Sequence, residues 1–145
     1  MKVLLQRVSE ASVEVSGECV ASIGPGLLAL VGVAPEDGEE QLRWLADKTL
    51  GLRIFPDAAK PMNLNVADVS GELLVVSQFT LAADASRGRR PGFSGAAAPQ
   101  HAEAVYDRFV EVLRETMPVQ TGVFGADMQV SLINDGPVTF LLERD

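Results

Sequence analysis

The stretch ELLVVSQFTL, residues 72–81, decides the fold because it predicts a strand in the interior of a sheet. Its middle, LLVVSQF, is apolar at successive positions, which is typical of a strand that is covered on both faces. The stretch ends in short polar side chains, and a long loop, residues 82–98, follows it. We therefore expect a central strand with polar groups at its end, where sheet proteins commonly place their sites.

Further strands are predicted before this one. Residues 3–15 and 18–23 form a hairpin that turns near Ser16-Gly17, and residues 26–33 (GLLALVGV) form a third, buried strand. Residues 52–55 predict one more short strand. The N-terminal half thus supplies the neighbours that a central strand needs.

Two helices are predicted from apolar side chains at helical spacing. The first begins after a cap at Asp37 or a neighbour and ends at Gly51, and the second has Pro99 in its first turn. The side chains expected to face the core are Leu42, Leu45, Ala46 and Thr49 in the first helix, and Ala102, Val105, Tyr106, Phe109, Val112 and Leu113 in the second.

The last eighteen residues contain two apolar runs, MQVSLI (128–133) and VTFLL (138–142), that predict strands. The plain interpretation of Gly136-Pro137 between them is a turn. A Gly-Pro bond can also be cis, and two neighbouring carbonyls then point to one side, where they could bind an ammonium group. The order of elements predicts a single α+β domain, residues 1–145, with a mostly antiparallel, barrel-like curled sheet and two main helices.

Composition excludes several classes of protein. The chain has 145 residues, and its net charge of −8 argues against a protein that coats nucleic acid indiscriminately. No apolar stretch approaches the roughly twenty residues that span a bilayer, so we expect a cytoplasmic protein that makes no membrane contact. The single Cys19 and single His101 leave no cluster of ligands for a metal, and no cofactor is predicted.

Two polar segments are candidates for a site. The segment Ser77 to Leu81 either satisfies backbone groups at a strand end or forms part of a site. The cationic loop, which contains Arg87, Arg89 and Arg90, is either a solvated linker or a binding loop for a phosphate-bearing end. We expect His101 on the surface in the first turn of the second helix, which leaves no Ser-His-Asp or Cys-His arrangement.

Two motifs together carry a resemblance to a known family. Ser77-Gln78-Phe79-Thr80-Leu81 and Asn134-Asp135-Gly136-Pro137-Val138-Thr139 resemble the paired signature of the D-aminoacyl-tRNA deacylases, which hydrolyse D-amino acids from mischarged tRNA. Two motifs at this separation are more specific than either alone. The resemblance covers nearly the whole chain and includes Gln6-Arg7-Val8, Met62 to Val66, Arg87 to Pro91, Thr121-Gly122 and Asp127 to Val130.

The resemblance implies a homodimer in which Gly136 and Pro137, joined by a cis bond, reach into the site of the other subunit. Their carbonyls would bind the α-ammonium group of the amino acid, so that only a D residue avoids a clash. Achiral glycine, including glycine mischarged on tRNA(Ala), would then also be a substrate. By the same resemblance, Arg7 would support the Gly-Pro segment and Met128 would belong to the substrate-binding set.

The catalytic set implied by the resemblance is Ser77, Gln78, Phe79 and Thr80, acting at the 3′ end of aminoacylated tRNA. The Phe79 and Thr80 N–H groups would stabilise the oxyanion, and the terminal 2′-hydroxyl of the tRNA would take part in the reaction. Ser77 and Gln78 would orient the ribose and the terminal base, which Phe79 could stack on. Thr80 is expected to position groups, because no base is visible to activate its hydroxyl as a nucleophile. The arginines expected to bind tRNA are Arg87, Arg89 and Arg90.

Two other classes stay open on the sequence. A non-catalytic RNA-binding module would explain the cationic loop, but it leaves Gly136-Pro137 without a role. A general esterase or peptidase would act on free D-amino acid esters or peptides, and the lack of an activated nucleophile counts against it.

Overall fold

The structure is a computed structural model that describes residues 1–145 as a six-stranded sheet with two helices. The strands are β1 (Lys2–Val15), β2 (Glu18–Ile23), β3 (Gly26–Gly32), β4 (Glu72–Ser77), β5 (Val119–Thr121) and β6 (Met128–Glu143). The helices are α1 (Glu39–Gly51) and α2 (Pro99–Arg114), and a short 3₁₀ helix, Phe79–Ala82, follows β4. The predicted α+β fold with two main helices and a curled sheet is confirmed.

The strands lie in the order β2-β1-β3-β4-β5, and β6 pairs with β1. β1 is antiparallel to β2, β3 and β6, whereas β4 is parallel to both of its neighbours. The sheet is therefore mixed, and its antiparallel pairs all involve β1. The predicted central position of β4 is confirmed, because this strand lies between β3 and β5.

Side chains nearly close the sheet into a barrel. The Gln120 Oε1 atom on β5 accepts a hydrogen bond of 2.8 Å from the Ser22 N–H on β2. The Glu72 Oε1 atom on β4 accepts one of 3.2 Å from the Gly24 N–H, just beyond β2. The edge strand β2 is thereby joined to the far side of the sheet without a regular ladder.

Apolar side chains cover both faces of the sheet. On β4, Leu73 and Val75 belong to a large cluster shared with both helices, whereas Leu74 and Val76 belong to a smaller cluster on the opposite face. Successive side chains of a strand point to opposite faces, which explains the uninterrupted apolar run. Burial of each leucine contributes about 2 kcal/mol, so β4 is firmly anchored.

The helices bury the faces that their spacing predicts, with one exchange. The predicted α1 positions are all buried. In α2, Val110 is buried where Val112 was expected, and Val112 packs at the margin of the large cluster. α1 begins after Gly38, a neighbour of Asp37 as expected, and the Gln41 side chain accepts a 3.0 Å hydrogen bond from the Gly38 N–H. The Asp37 carboxylate accepts hydrogen bonds from the Met1 ammonium group at 2.7 Å and the Ala34 N–H at 2.6 Å.

His101 is not the solvated surface residue that we expected. It is half-buried, and its Nε2 atom forms a 2.8 Å hydrogen bond with the Asp37 carbonyl oxygen. The loop that precedes α1 folds against the start of α2 and provides this partner. Neither helix is long and apolar enough to cross a membrane.

The predicted strand 72–81 is too long. The Gln78 N–H still donates to the Val31 carbonyl at 2.7 Å, but the Leu81 N–H then donates back to the Gln78 carbonyl at 3.2 Å and closes a helical turn. The neighbouring strand β3 ends at Gly32, so the chain has no further ladder partner on that side. The residues after Ser77 therefore form the 3₁₀ helix.

Two further strand predictions need correction. Residues 52–55 do not form a strand, because only Phe55 pairs, with Leu64, as an isolated bridge. The runs 128–133 and 138–142 are not separate strands, since β6 is continuous along β1. Gln6 pairs with Thr139 and Val8 pairs with Asn134. Between these pairs β1 has one residue, Arg7, whereas β6 has four, residues 135–138, which therefore bulge out of the ladder.

Candidate active site

An open cavity of about 780 Å³ lies at the end of β4. Its walls come from β4, β6 and the loops that precede α2 and β6, and most of the lining side chains are apolar. Ser77 and Gln78 supply polar groups to the lining. A cavity of this size with a few polar groups suits a small organic group that is partly apolar.

The four predicted catalytic residues are neighbours at this cavity. Ser77, Gln78 and Phe79 line it, and the Gln78 side-chain amide donates a hydrogen bond to the Thr80 hydroxyl. Phe79 and Thr80 begin the 3₁₀ helix, and the first N–H groups of a helix have no partner within it. The end of β4 at Ser77 and the start of the 3₁₀ helix therefore bring two backbone donors next to the polar end of the cavity.

Two aromatic rings pack against each other in the cavity wall. The centroids of Phe79 and Phe93 are 5.1 Å apart with an interplanar angle of 57°, and the residues are 56% and 39% exposed. Exposed rings in a cavity indicate a binding surface. Phe93 was not predicted from the sequence, because one phenylalanine in a glycine-rich loop carries no periodic signal.

Tyr106, a core residue of α2, contacts two elements next to the cavity, namely β4 and the loop before β6. The buried Tyr106 hydroxyl donates a 2.8 Å hydrogen bond to the Val75 carbonyl, and its ring lies 6.0 Å from that of Phe124, which lines the cavity. Burial raises the pKa of Tyr106, so the hydroxyl stays protonated as a donor. A Cβ atom at Gly122 would lie 2.7 Å from the Met128 Sδ atom, so a side chain there would displace the end of Met128.

The Gly136-Pro137 segment lies in the bulge of β6, and its peptide bond is cis. The Asn134 side chain closes the bulge, because it donates to the Thr139 hydroxyl at 2.8 Å and accepts from the Val138 N–H at 2.7 Å. Gly136 has a φ of +138°, which L side chains rarely adopt. Both residues of the pair are exposed.

Arg7 contacts this bulge from the buried side. The residue is 9% exposed, and its Nε atom donates a 3.0 Å hydrogen bond to the Asp135 carbonyl. Its Nη1 atom donates one of 2.7 Å to the Ile54 carbonyl, and the guanidinium carbon lies 6.0 Å from the centre of the Phe55 ring. One buried guanidinium thus joins the bulge to the chain after α1.

The bulge and the cavity of one chain lie at different places along β6. On the β1–β6 ladder, Val130, the lining residue of β6 nearest to the bulge, lies opposite Val13, and Asn134 lies opposite Val8. Four residues of strand separate these two points, which corresponds to about 13 Å. Met128 lines the cavity, whereas Gly136, Pro137 and Arg7 do not.

The cationic loop is closed by Asp84 and Gly92, which exchange two backbone hydrogen bonds of 2.8 Å. Phe93 follows the loop directly, so the loop lies beside the cavity. Its three arginines are exposed, and none of them takes part in the ion pairs of the chain, which join other residues. Their charge is available to a ligand.

These features define the class of protein. No histidine lines the cavity, and no group of three or more metal-ligating side chains is present. The polar groups at hand are backbone N–H groups and short side chains at a strand end. The fold and site define an α+β protein whose cavity offers an apolar lining with short polar side chains at a strand end.

The comparisons with known proteins identify the family. The family described as D-Tyr-tRNA(Tyr) deacylase matches residues 4–143. The chain is 59% identical to the D-aminoacyl-tRNA deacylase of Enterobacter sp. (strain 638), over 99% of both chains. It is 56% identical to that of Geobacter sulfurreducens, over 99% of this chain and 95% of the relative. The chain belongs to the D-aminoacyl-tRNA deacylase family, so the prediction of an ester hydrolase is confirmed.

Solved structures show the same fold. The chain superposes on the c-Myc DNA Unwinding Element Binding Protein with a TM-score of 0.95 and 42% identity, over 100% of this chain and 99% of the other. It superposes on a probable eukaryotic D-amino acid tRNA deacylase with a TM-score of 0.83 and 20% identity, over 97% of both chains. The second likeness concerns the fold alone.

Proposed function

We propose that this protein hydrolyses the ester bond between a D-amino acid and the 3′ end of tRNA, and so removes D residues before translation uses them. The observation that carries the proposal is the cavity at the end of β4, which is bordered by Ser77, Gln78 and Phe79. The family assignment over nearly the whole chain supports the same activity. Such an activity would be needed in the cytoplasm, where charged tRNA is used.

We place the complete site between two copies of the chain. The bulge begins about 13 Å along β6 from Val130, the nearest lining residue of that strand, and neither Gly136 nor Pro137 lines the cavity of its own chain. β6 pairs only with β1, and Ile133 and Leu141 on it are 54% and 50% exposed. A two-fold axis near this strand would carry each bulge to the cavity of the other copy and form two identical sites.

In this arrangement the bulge selects chirality. The Gly136 and Pro137 carbonyls bind the α-ammonium group, while the Phe79 side of the cavity holds the ester. With both ends held, the side chain of a D residue points away from the protein and that of an L residue clashes with it. Glycine has no side chain to reject, so glycyl-tRNA, including glycine mischarged on tRNA(Ala), is hydrolysed as well.

The reaction itself requires an attacking group and stabilisation of the oxyanion. The N–H groups of Phe79 and Thr80, at the start of the 3₁₀ helix, provide the stabilisation. The terminal 2′-hydroxyl of the tRNA assists the attack, because the protein has no general base at the cavity. Thr80, hydrogen-bonded to Gln78, positions the ribose together with Ser77.

The remaining contacts hold the tRNA. The Phe79 and Phe93 rings stack on the terminal base, which is a common way to hold an unpaired nucleotide. The cationic loop beside the cavity binds backbone phosphates of the acceptor end through Arg87, Arg89 and Arg90.

The central test compares D-tyrosyl-tRNA with L-tyrosyl-tRNA as substrates of the purified protein. We expect rapid release of D-tyrosine and a release of L-tyrosine that is measurable only at high enzyme concentration and is orders of magnitude slower. Binding of tRNA without hydrolysis would instead indicate an RNA-binding module. Hydrolysis of free D-tyrosine ethyl ester as fast as of the tRNA adduct would indicate a general esterase.

A modified substrate tests the role of the tRNA in the reaction. D-tyrosyl-tRNA that ends in 2′-deoxyadenosine should be almost inert, because it lacks the participating hydroxyl. Its binding should be nearly unchanged, which competition with uncharged tRNA measures. Full turnover of this substrate would contradict assistance by the 2′-hydroxyl.

A further inference from the structure

A small loop after α1, residues 53–64, is closed by hydrogen bonds at its base. Phe55 and Leu64 exchange two backbone hydrogen bonds of 2.9 Å. The Arg53 side chain donates to the Asn63 backbone carbonyl at 2.6 Å and also to the side-chain carbonyl of Asn63. The Asn63 side-chain N–H group in turn donates to the Asp57 carboxylate. We call this segment the clasp loop.

The clasp loop presents one backbone carbonyl to the interior. Ile54 lies next to the closure and is 3% exposed, and its carbonyl accepts the 2.7 Å hydrogen bond from Arg7 Nη1. Phe55 is 6% exposed and lies beside the guanidinium group. The clasp loop therefore holds one side of Arg7.

The other side of Arg7 faces the bulge of β6. Its Nε atom donates to the Asp135 carbonyl at 3.0 Å, and its Nη2 atom lies 3.2 Å from the point where a side chain on Gly136 would begin. The same guanidinium thus has one partner in the clasp loop and one in the bulge. A shift of the Ile54 carbonyl would be transmitted through this rigid planar group to the Asp135–Gly136 peptide.

We propose that Asn63 is a positioning residue for stereochemical selection, acting through the Ile54 carbonyl and Arg7 on the Gly136-Pro137 segment. This inference rests on the proposed role of that segment. Asn63 suits the task because its amide accepts from Arg53 and donates to Asp57 at the same time. Without its side chain, Asp57 loses its link to position 63 and Arg53 keeps only the backbone carbonyl there. Backbone hydrogen bonds still close the clasp loop, among them the Phe55–Leu64 pair and the 3.0 Å bond from the Asn63 N–H to the Phe55 carbonyl, but the partner of Arg7 Nη1 is less firmly held.

A purely structural role would have a different signature. Asn63 belongs to neither apolar cluster, and its partner Arg53 is exposed. Loss of the Asn63 side chain should therefore lower the unfolding free energy only slightly. Its effect should instead appear as a change in the ratio of activity on D and L substrates. A loosened bulge binds the ammonium group less accurately, and small errors in position are costly in catalysis.

The experiment compares Asn63→Ala with Asn65→Ala. The side chain of Asn65 accepts a 2.8 Å hydrogen bond from the Asp68 N–H and forms no hydrogen bond with Arg53 or Asp57, so it is a matched control. We expect the D/L ratio of kcat/KM on tyrosyl-tRNA to fall about tenfold or more in Asn63→Ala and to stay unchanged in Asn65→Ala. The melting temperature should fall by no more than about 3 °C in either variant.

A swapped pair tests the direct link between positions 57 and 63. Asp57→Asn combined with Asn63→Asp keeps one donor and one acceptor between the two side chains in reversed order, and the carboxylate placed at 63 still faces Arg53. We expect this double variant to recover most of the D/L ratio that Asn63→Ala loses. If the double variant does not recover the D/L ratio, the positioning role of Asn63 is wrong.

The lowered pKa of Asp57 offers a readout that is independent of activity. The hydrogen bond from Asn63 is its largest cause, followed by the Lys60 and Ala59 N–H groups. Carboxyl NMR titration should therefore show the pKa of Asp57 rising towards its ordinary value in Asn63→Ala, and not in Asn65→Ala. An unchanged pKa would mean that the clasp is not formed in solution and would overturn the inference.

The outcomes separate this inference from the proposed function. If the wild-type protein does not discriminate between D and L substrates, the proposed function fails. If the wild type discriminates and Asn63→Ala keeps the same D/L ratio, or loses activity on both substrates only in step with stability, the inference on Asn63 alone is overturned.

Discussion

The cavity and the bulge of β6 are assembled in different ways. The polar end of the cavity comes from neighbours in the chain, since Gln78 is hydrogen-bonded to Thr80 two positions away. The bulge depends on Arg7, which is 128 positions from the Asp135 carbonyl that it binds. A local motif thus forms the proposed catalytic groups, whereas long-range packing holds the groups proposed to select the substrate. Substitutions in the two regions should therefore affect different quantities.

Gly136→Ala should have the largest effect on selectivity. At a φ of +138°, the new Cβ would lie 2.7 Å from Val138 Cγ2 and 3.2 Å from Arg7 Nη2, so the bulge must move. We expect kcat/KM on D-tyrosyl-tRNA to fall about 100-fold, because the carbonyls proposed to bind the ammonium group are displaced. Single-turnover kinetics with the D and L substrates measure this effect.

Gly17→Ala is the matched control for this change. Gly17 also has a positive φ, +79°, but no atom lies within 4 Å of a Cβ there. Its substitution should cost about 1–2 kcal/mol of unfolding free energy and leave the kinetics unchanged. Unaltered selectivity in Gly136→Ala would contradict the distinction between the two regions.

Arg7→Lys should have the next largest effect. Lysine keeps the charge but presents its donors on one nitrogen atom, which does not match the two carbonyls that the guanidinium fork joins. Loss of one charged hydrogen bond of about 2 kcal/mol would lower the D/L ratio roughly 30-fold. Arg43→Lys, in an exposed ion pair with Glu39, should change nothing. An equal response of the two variants would show that Arg7 acts only through its charge.

Phe93→Ala should affect the cavity, and it should change KM and not the D/L ratio. Loss of one ring from the Phe79–Phe93 pair weakens base stacking by about 1–3 kcal/mol, so KM for the tRNA should rise about tenfold. The D/L ratio should stay constant, because the bulge is untouched. Val123→Ala, at an exposed side chain that does not line the cavity, is the control. A changed D/L ratio would mean that the cavity itself selects chirality.

Tyr106→Phe should have the smallest effect. It removes the hydrogen bond to the Val75 carbonyl, which keeps a second one, of 3.1 Å, from the Gly122 N–H. The unfolding free energy should therefore fall by only about 1 kcal/mol, without a change in selectivity. Urea denaturation measures the unfolding free energy. A decrease of more than roughly 3 kcal/mol would show that the end of β4 beside the cavity depends on this one hydrogen bond.

The same variant changes the pH dependence of stability. Burial raises the pKa of Tyr106 in the folded state, so the unfolded chain releases this proton first, above about pH 10. Stability of the wild type then falls as the pH rises further, because the folded state binds more protons. Tyr106→Phe should lack this part of the alkaline loss, which denaturation at pH 10 to 11 would detect.

Much of the fold was predictable because it follows local rules. The β1–β2 hairpin, the buried faces of α1 and α2 and the interior position of β4 all follow from spacing and turn residues. The errors occurred where a distant partner decides the local structure. β4 stops at Ser77 where β3 ends, and β6 stays continuous across Gly136-Pro137 because β1 pairs on both sides of the bulge.

The site was predictable to the extent that it is contiguous. Ser77 to Thr80 formed a recognisable motif, and three of these residues, Ser77, Gln78 and Phe79, line the cavity. Phe93 was missed because its partner Phe79 is fourteen positions away in the chain, across an irregular loop. The Ile54 carbonyl was missed because a backbone acceptor leaves no trace in residue type. The roles assigned to the site residues stay predictions until the variants are measured.

The separation of bulge and cavity along β6 also has a genetic consequence. In a homodimer built as proposed, each site combines the cavity of one subunit with the bulge of the other. A subunit with a damaged bulge still has an intact cavity, and a subunit with a damaged cavity still has an intact bulge, so the two together form one complete site. Two inactive alleles, one of each kind, should therefore complement each other when they are expressed together. Random pairing leaves half of the dimers mixed, with one intact site each, so about a quarter of the wild-type sites would be restored.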